Sequence, residues 1–388
     1  MTALYLLEPS ADGAAWAPFD GVRPVAELRA GVPRLRERWE TALRLETTAI
    51  LSGSLATFAE LDQPPIRPIG PVDGPAVVAS SAFAIASTPV TPGPATRRLT
   101  SGGSTVGWIV RPGERWAGPT DDGSGQEVDG LLLRGTADLL TALDTMLADD
   151  CAALASAGGD PLPDGTIVLG DRPLVAARGA AIEPGVVFDV RKGAIVLAAG
   201  VEVRHGTRFE GPCYVGRSTR VLGGSFRHSV FGPHCVVRGE IAASSFIGYA
   251  NKGHYGFVGN SILGHWVNLG AGTTTSNLKN TYGDVRLDVA GQRIETGRQN
   301  VGSLIGDHAK TAIGTLLGTG TVIGAGANVF GAEGVPKYVV PFAWGSGSNE
   351  RVSLEGFLRI AERVMPRRDV AFTDERRRSL AATYARLT

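Results

Sequence analysis

The chain has 388 residues, enough for two or three domains, and its 38 basic side chains balance its 38 acidic ones. That balance excludes a general electrostatic pull toward nucleic acid or anionic membrane, so any phosphate binding must come from local clusters of Arg and Lys. Cys151, Cys213 and Cys235 are too few and too scattered for a disulfide framework or a zinc site, and read as buried small hydrophobes.

Met1-Thr2-Ala3-Leu4-Tyr5 lacks a basic leader, and no apolar run is long enough to span a bilayer. A cytoplasmic protein is expected. Residues 1–160 mix strand-like and helix-like runs. Leu4–Leu7, Thr48–Leu51, Ala76–Ala79 and Val106–Val110 read as strands. Val25–Leu45 carries Leu28, Leu35, Trp39 and Leu43 at helical spacing, broken at Pro33, and Thr136–Ala157 is an amphipathic helix. The alternation predicts a small α/β layer. Arg23, Arg29, Arg34, Arg36 and Arg38 cluster here, as a phosphate site would need, but no Gly-rich phosphate loop accompanies them. A solvated helix face is the favoured alternative. Asp160–Gly165 is a turn-rich linker.

From about residue 175 the pattern changes to a period of six. Val203, Phe209, Val215 and Val221 follow it, as do Phe231 and Val237, Ile241 and Ile247, Phe257, Leu263 and Leu269, and Leu317, Ile323 and Val329. Aliphatic-glycine pairs such as Leu263-Gly264, Ile305-Gly306 and Ile313-Gly314 recur beside them. This predicts a parallel β-helix over 175–334, each hexad forming one flat side of a triangular coil with one side chain inward. Residues 279–303 interrupt the period and read as a hairpin turning at Ala290-Gly291, an excursion that covers a site or reaches a neighbour. Residues 335–388 carry two helical stretches, Leu354–Val364 and Thr373–Leu387, suited to capping the last coil or docking on another subunit.

Within the repeats, Asn251-Lys252-Gly253-His254 and Val267-Asn268-Leu269-Gly270-Ala271-Gly272-Thr273-Thr274 concentrate a histidine, amides and small residues, followed by Ser276-Asn277-Leu278-Lys279-Asn280. Together with Arg23-Pro24-Val25-Ala26-Glu27-Leu28-Arg29, Arg38-Trp39-Glu40 and Gly306-Asp307-His308-Ala309-Lys310-Thr311, they resemble the bifunctional N-acetylglucosamine-1-phosphate uridyltransferase/glucosamine-1-phosphate acetyltransferase family, in a divergent branch with a shortened first domain. The resemblance implies a left-handed β-helix, an exception to the right-handed crossover rule, and a homotrimer with sites between subunits. It implies acetyl-CoA, a sugar phosphate and a nucleoside triphosphate such as UTP as ligands, with Mg²⁺ if the first domain is active.

Carried over by that resemblance, His254 is the general base that takes a proton from a sugar amine, a role that suits an imidazole. Asn268 orients the sugar, Ala271 with Gly272 and Thr315 receives the cofactor, and Asn277 reaches in from an adjacent subunit. Asn268 and Asn277 follow His254 by 14 and 23 residues, the family's steps. Phe257 replaces an expected sugar-binding tyrosine, and Tyr255 points to the same side if the stretch is a strand. The family's phosphate-binding lysine has no direct counterpart, which leaves Lys252, Arg238, Lys279 and Lys310 as substitutes. Arg23 and Arg29 are the implied nucleotide contacts, while no metal ligands are singled out. Two other readings remain open: an acyltransferase acting on a nucleotide-linked sugar, and a non-catalytic β-helix scaffold.

Overall fold

The computed structural model describes residues 2–10, 14–60, 62–156, 158–331, 334–346 and 350–388. Its first part is a seven-stranded mixed sheet, in spatial order Gly125–Glu127, Arg98–Ser101, Ser104–Val110, Ala76–Ser80, Ala3–Leu7, Thr47–Ser52 and Ile66–Pro68. Ala3–Leu7 lies between two parallel neighbours, and Leu4 and Leu6 are fully buried. Each of the four aliphatic runs predicted as strands falls within this sheet. The predicted helix over 25–45 is shorter: a 3₁₀ turn at Val25–Glu27, then α1 (Leu35–Leu43). Between them Gly31 sits at φ +68°, where an added Cβ would lie 2.2 Å from Asp150 Oδ2. That carboxylate accepts the Val32 amide, so only a glycine lets the loop approach it. Helix α2 (Asp138–Ala155) buries Leu139, Leu140, Leu143 and Leu147; Ala157, at the predicted end, lies outside the described residues.

The arginine cluster is not a solvated face. Arg36 is 7 % and Arg38 2 % exposed. Arg36 pairs with Glu27 and Glu40, Arg34 with Glu27 and Glu37, and Arg38 with Asp150. They are internal cross-links whose charges are matched inside the fold.

From Ile167 to Val339 the chain winds as a left-handed parallel β-helix. Three side chains per coil point inward and stack in columns. One runs Phe209, Phe226, Ile241, Val258; the second Val215, Phe231, Phe246, Leu263, Ile305, Ile323; the third Val221, Val237, Lys252, then Leu269, Thr311, Val329. Phenylalanines 188, 209, 226, 231 and 246 form a spine with successive ring centroids 5.3 to 5.6 Å apart.

The strict six-residue step fails repeatedly: it is five from Val221 to Phe226 and four from Val237 to Ile241. From Phe226 to Phe231, Ile241 to Phe246 and Val258 to Leu263 it is again five. A corner can lose a residue, whereas inward direction is fixed by the coils above and below. Ile247 and Phe257 are therefore not interior, and Phe246 and Val258 take those places. Ile247 instead falls in an outward column otherwise made by Gly216, Gly232, Gly264, Gly306 and Gly324, and packs against Leu28 and Leu35. Ile313 is 80 % exposed at a corner.

One outward face is apolar. Val196, Tyr214, Val230, Ser245, Ile262, Leu304 and Val322 align along it, and α2 with the segment around Phe19–Leu35 covers it. The hairpin forms with strands Arg286–Val289 and Gln292–Glu295, both turn residues at positive φ. It packs on this chain's own first segment, sharing a core with Phe19 and Leu139, and Arg298 at its base pairs with Asp144.

The C-terminal helices α3 (Leu354–Val364) and α4 (Asp374–Leu387) also dock on their own chain. They cover a corner where His234, Tyr249, Trp266, His308 and Phe342 each adopt φ of 56° to 62° and stack outward. Phe357 packs edge-on against both His308 and Phe342. Ser353 caps α3 by accepting the Gly356 amide at 3.1 Å. Ser353→Ala is expected to cost about 1 kcal/mol, seen as faster proteolysis after residue 350 without change in the coil's melting.

Candidate active site

His254 and Tyr255 form a coil corner between strands Asn251–Lys252 and Phe257–Gly259. The next coil stacks Ala271-Gly272 on it, through Gly272 N donating to Tyr255 O at 3.0 Å, and the following one stacks Ile313-Gly314, through Gly314 N donating to Ala271 O at 2.7 Å. The His254 side chain is exposed. Tyr255, 70 % exposed, is not on a strand with Phe257. Its ring lies over Gly272, where an added Cβ would come 3.1 Å from the phenol oxygen, while the Phe257 ring lies over Gly259. Gly253, Gly270 and Ala312 make a strip of small residues next to the corner, beside the outward Asn251, Asn268 and Lys310. An imidazole, a phenol and a shallow trough thus share one corner.

Lys252 is placed otherwise than a substrate contact requires. It is fully buried in the third interior column, in register with Val237. Its Nζ donates to His254 O at 2.5 Å and Tyr255 O at 2.8 Å. Burial without a carboxylate lowers the ammonium to about 8. It braces the corner from inside the coil.

Across the trough lies a polar column of Arg220, Val236, Asn251, Asn268, Lys310 and Asn328. Asn251 Nδ2 donates to Asn268 Oδ1 at 2.7 Å. Lys310 donates to His308 O at 2.9 Å, and burial lowers it to about 8. Arg367 and Arg368, following α3, line the same cavity as Asn268 and Lys310. Nothing in the sequence links Arg367-Arg368 to the repeats, since the contact is set by how α3 folds back.

Thr315, next to Gly314, and Arg238, next to Gly239 where an added Cβ would lie 3.2 Å from His254 O, flank this corner, whereas Asn277 and Lys279 are not brought to it within one chain. Asn277 donates to Asn260 Oδ1 at 2.7 Å, at the next corner beyond strand Thr274–Thr275. Lys279 donates to Asp284 O at the hairpin base. The Thr315 hydroxyl donates to Ala312 O at 2.8 Å, and Arg238 is exposed.

Arg23 and Arg29 are turned into the protein. Arg23, 3 % exposed, gives Asp307 two hydrogen bonds of 2.9 and 3.1 Å and Glu60 one of 3.0 Å. Arg29 donates to the carbonyls of Ile247 and Val32. Arg23 is held by its two carboxylates, whereas Arg29 lines a cavity of about 360 Å³ with Arg34, Glu37, Tyr214 and Arg217. Among the described residues no group of three or more His, Cys, Asp or Glu side chains gathers as a metal cage, and no helix is long and apolar enough to cross a membrane.

No family model matches the chain. It is similar over 77 residues, at 39 % identity, to the bifunctional sugar-1-phosphate nucleotidylyltransferase/acetyltransferase of Sulfurisphaera tokodaii, covering 20 % of this chain and 19 % of that one. Over 92 residues it is 34 % identical to the bifunctional protein GlmU of Methanococcus vannielii, covering 22 % of each. Over 86 residues it is 31 % identical to the GlmU of Methanocaldococcus jannaschii, covering 22 % and 21 %. The similar stretch spans about a fifth of each relative's length.

Proposed function

We propose that the chain is an acyltransferase that moves an acetyl group from acetyl-CoA to the amine of a sugar phosphate, with glucosamine 1-phosphate as the acceptor. The observation that carries this reading is the stacked corner, with the exposed imidazole of His254 beside the trough at Gly270 and the amide of Asn268 across it. The names of the similar proteins support it at the level of reaction class. In the reaction the sugar nitrogen attacks the thioester carbonyl, His254 takes the amine proton, and the C–S bond breaks to release CoA. Asn268 orients the sugar, Tyr255 closes the corner over Gly272, and Ala271, Gly272 and Thr315 form the wall for the pantetheine arm. Asn277 and Lys279 reach the site from an adjacent subunit of a homotrimer. The first 160 residues act as a sugar-1-phosphate nucleotidyltransferase-like segment that takes UTP, for which Mg²⁺ would neutralise the triphosphate; the donor set does not fit a protein cage for it.

The test is release of free CoA from acetyl-CoA with glucosamine 1-phosphate, measured against UDP-linked glucosamine. Release with neither acceptor would overturn acyl transfer, and release with the UDP-linked sugar alone would move the acceptor to a nucleotide-linked one. Because Lys252 holds the carbonyls of His254 and Tyr255, Lys252→Met is expected to keep the fold. It should lower kcat about tenfold with KM little changed, since misplacing a base by a fraction of an ångström costs rate before affinity. An unchanged kcat would leave Lys252 with no part in positioning the corner.

A further inference from the structure

The hairpin turning at Ala290-Gly291 borders a cavity of about 230 Å³. Four stretches distant in sequence meet there. Pro18 belongs to the first segment, Val289 to the hairpin, Pro341 to the end of the coil and Leu387 to α4. The outward column of Ile262, Leu304 and Val322 ends on Tyr338, which also lines the cavity. The space is therefore what remains where the covered face of the coil runs out. Gly324, in the outward glycine column, lines it too, which sets it at a different corner from His254.

The lining is apolar but for Asp20, Gln292 and Tyr338, and Asp20 alone carries a charge. Its half-buried carboxylate forms no ion pair among the described residues, unlike Glu27, Glu37, Glu40 and Asp150. Arg386 is outside the lining and donates Nη1 to Gly21 O at 2.7 Å. Burial still raises the Asp20 carboxyl above its ordinary value, against the Gly21 amide and Arg386. Taking a carboxylate out of water without a full counter-charge is unfavourable, and a cation entering the cavity recovers that cost. One carboxylate is too few ligands for a hard metal ion, which also gains nothing from apolar walls. An organic cation gains from both, and a space under the roughly 300 Å³ of drug-sized sites admits about one ring. We infer that this cavity binds a small organic ammonium, with Asp20 pairing its charge and Pro18, Val289, Pro341 and Leu387 enclosing one aromatic or branched aliphatic group. Bound there, the ligand ties the hairpin, the first segment and α4 to the coil. The site stands apart from acyl transfer and holds whether or not His254 is catalytic.

The experiment is calorimetric titration of the full chain with benzylamine, beside benzyl alcohol, which keeps the ring, and methylamine, which keeps the charge. Saturable binding of benzylamine is expected, with each of the other two at least about tenfold weaker. Asp20→Asn should weaken benzylamine at least about tenfold and leave benzyl alcohol unchanged, with circular dichroism checking its fold. Gln292→Trp, at an exposed position on the hairpin, should fill the space and abolish benzylamine binding with the melting profile kept. Benzylamine should raise the melting temperature of the wild type and leave that of Gln292→Trp unchanged. The inference is overturned if benzylamine does not bind saturably, or if benzyl alcohol or methylamine binds equally well. Full benzylamine affinity in either folded variant overturns it too.

Discussion

His254→Ala should lower acyl transfer to glucosamine 1-phosphate by roughly 10²- to 10⁴-fold, the range for loss of a positioned general base. The protein should keep its melting profile. The imidazole is exposed at a corner, outside the three interior columns, so its removal takes no packing from the coil. The neighbouring backbone is held independently by Lys252 from within and by Gly272 N from the next coil. Loss of activity together with loss of fold would therefore contradict the geometry. Wild-type CoA release by a folded variant would sink the assignment of the base. His254→Gln separates proton transfer from hydrogen bonding: it keeps a polar group at the corner yet takes up no proton, and its rate should stay near that of the alanine variant.

What could be read from the residues alone follows from what local pattern encodes. The inward columns were legible because every coil repeats one burial requirement, so Phe209, Val215 and Val221 announce themselves by spacing. Ile247 and Phe257 were misplaced because a five-residue step at a corner leaves their composition unchanged. Lys252 looks like a surface cation in any window, and only the register with Val237 and Leu269 shows that it points inward. The hairpin was legible at Ala290-Gly291, since two successive positive-φ residues demand such a turn. The arginines near the start were visible as a cluster, but their carboxylate partners lie as far away as Asp150 and Asp307. Arg367 and Arg368 come beside Asn268 and Lys310 through tertiary folding alone.

Those distant partners set the second large effect. Arg23→Met is expected to destabilise the contact between the first segment and the coil by about 3–5 kcal/mol, the cost of removing one partner from a buried ion pair. Asp307 and Glu60 would be left facing each other's neighbourhood without a cation, and Asp307 also accepts the His265 amide at 2.9 Å. Burial pushes the Glu60 carboxyl upward, but His265 and Arg23 outweigh it and hold it well below the usual carboxylate range. His265 is itself lowered by burial and by Arg23, and its Nδ1 lies 2.5 Å from Glu60 Oε2. The sign of the pH effect follows. A carboxyl with a depressed folded-state value contributes stability above its unfolded value of about 4.5, and loses it as pH falls through the folded value. Without Arg23 the same burial raises Glu60, and the variant takes up a proton on acidification. The stability gap between wild type and variant, measured by urea unfolding followed at Trp39 and Trp266, should be widest near pH 7 and narrow toward pH 4. Adding Glu60→Gln to Arg23→Met should recover part of the loss, because it removes the stranded charge. A gap that is small at pH 7, or that widens with acid, would mean that the Arg23 network does not hold the first segment to the coil.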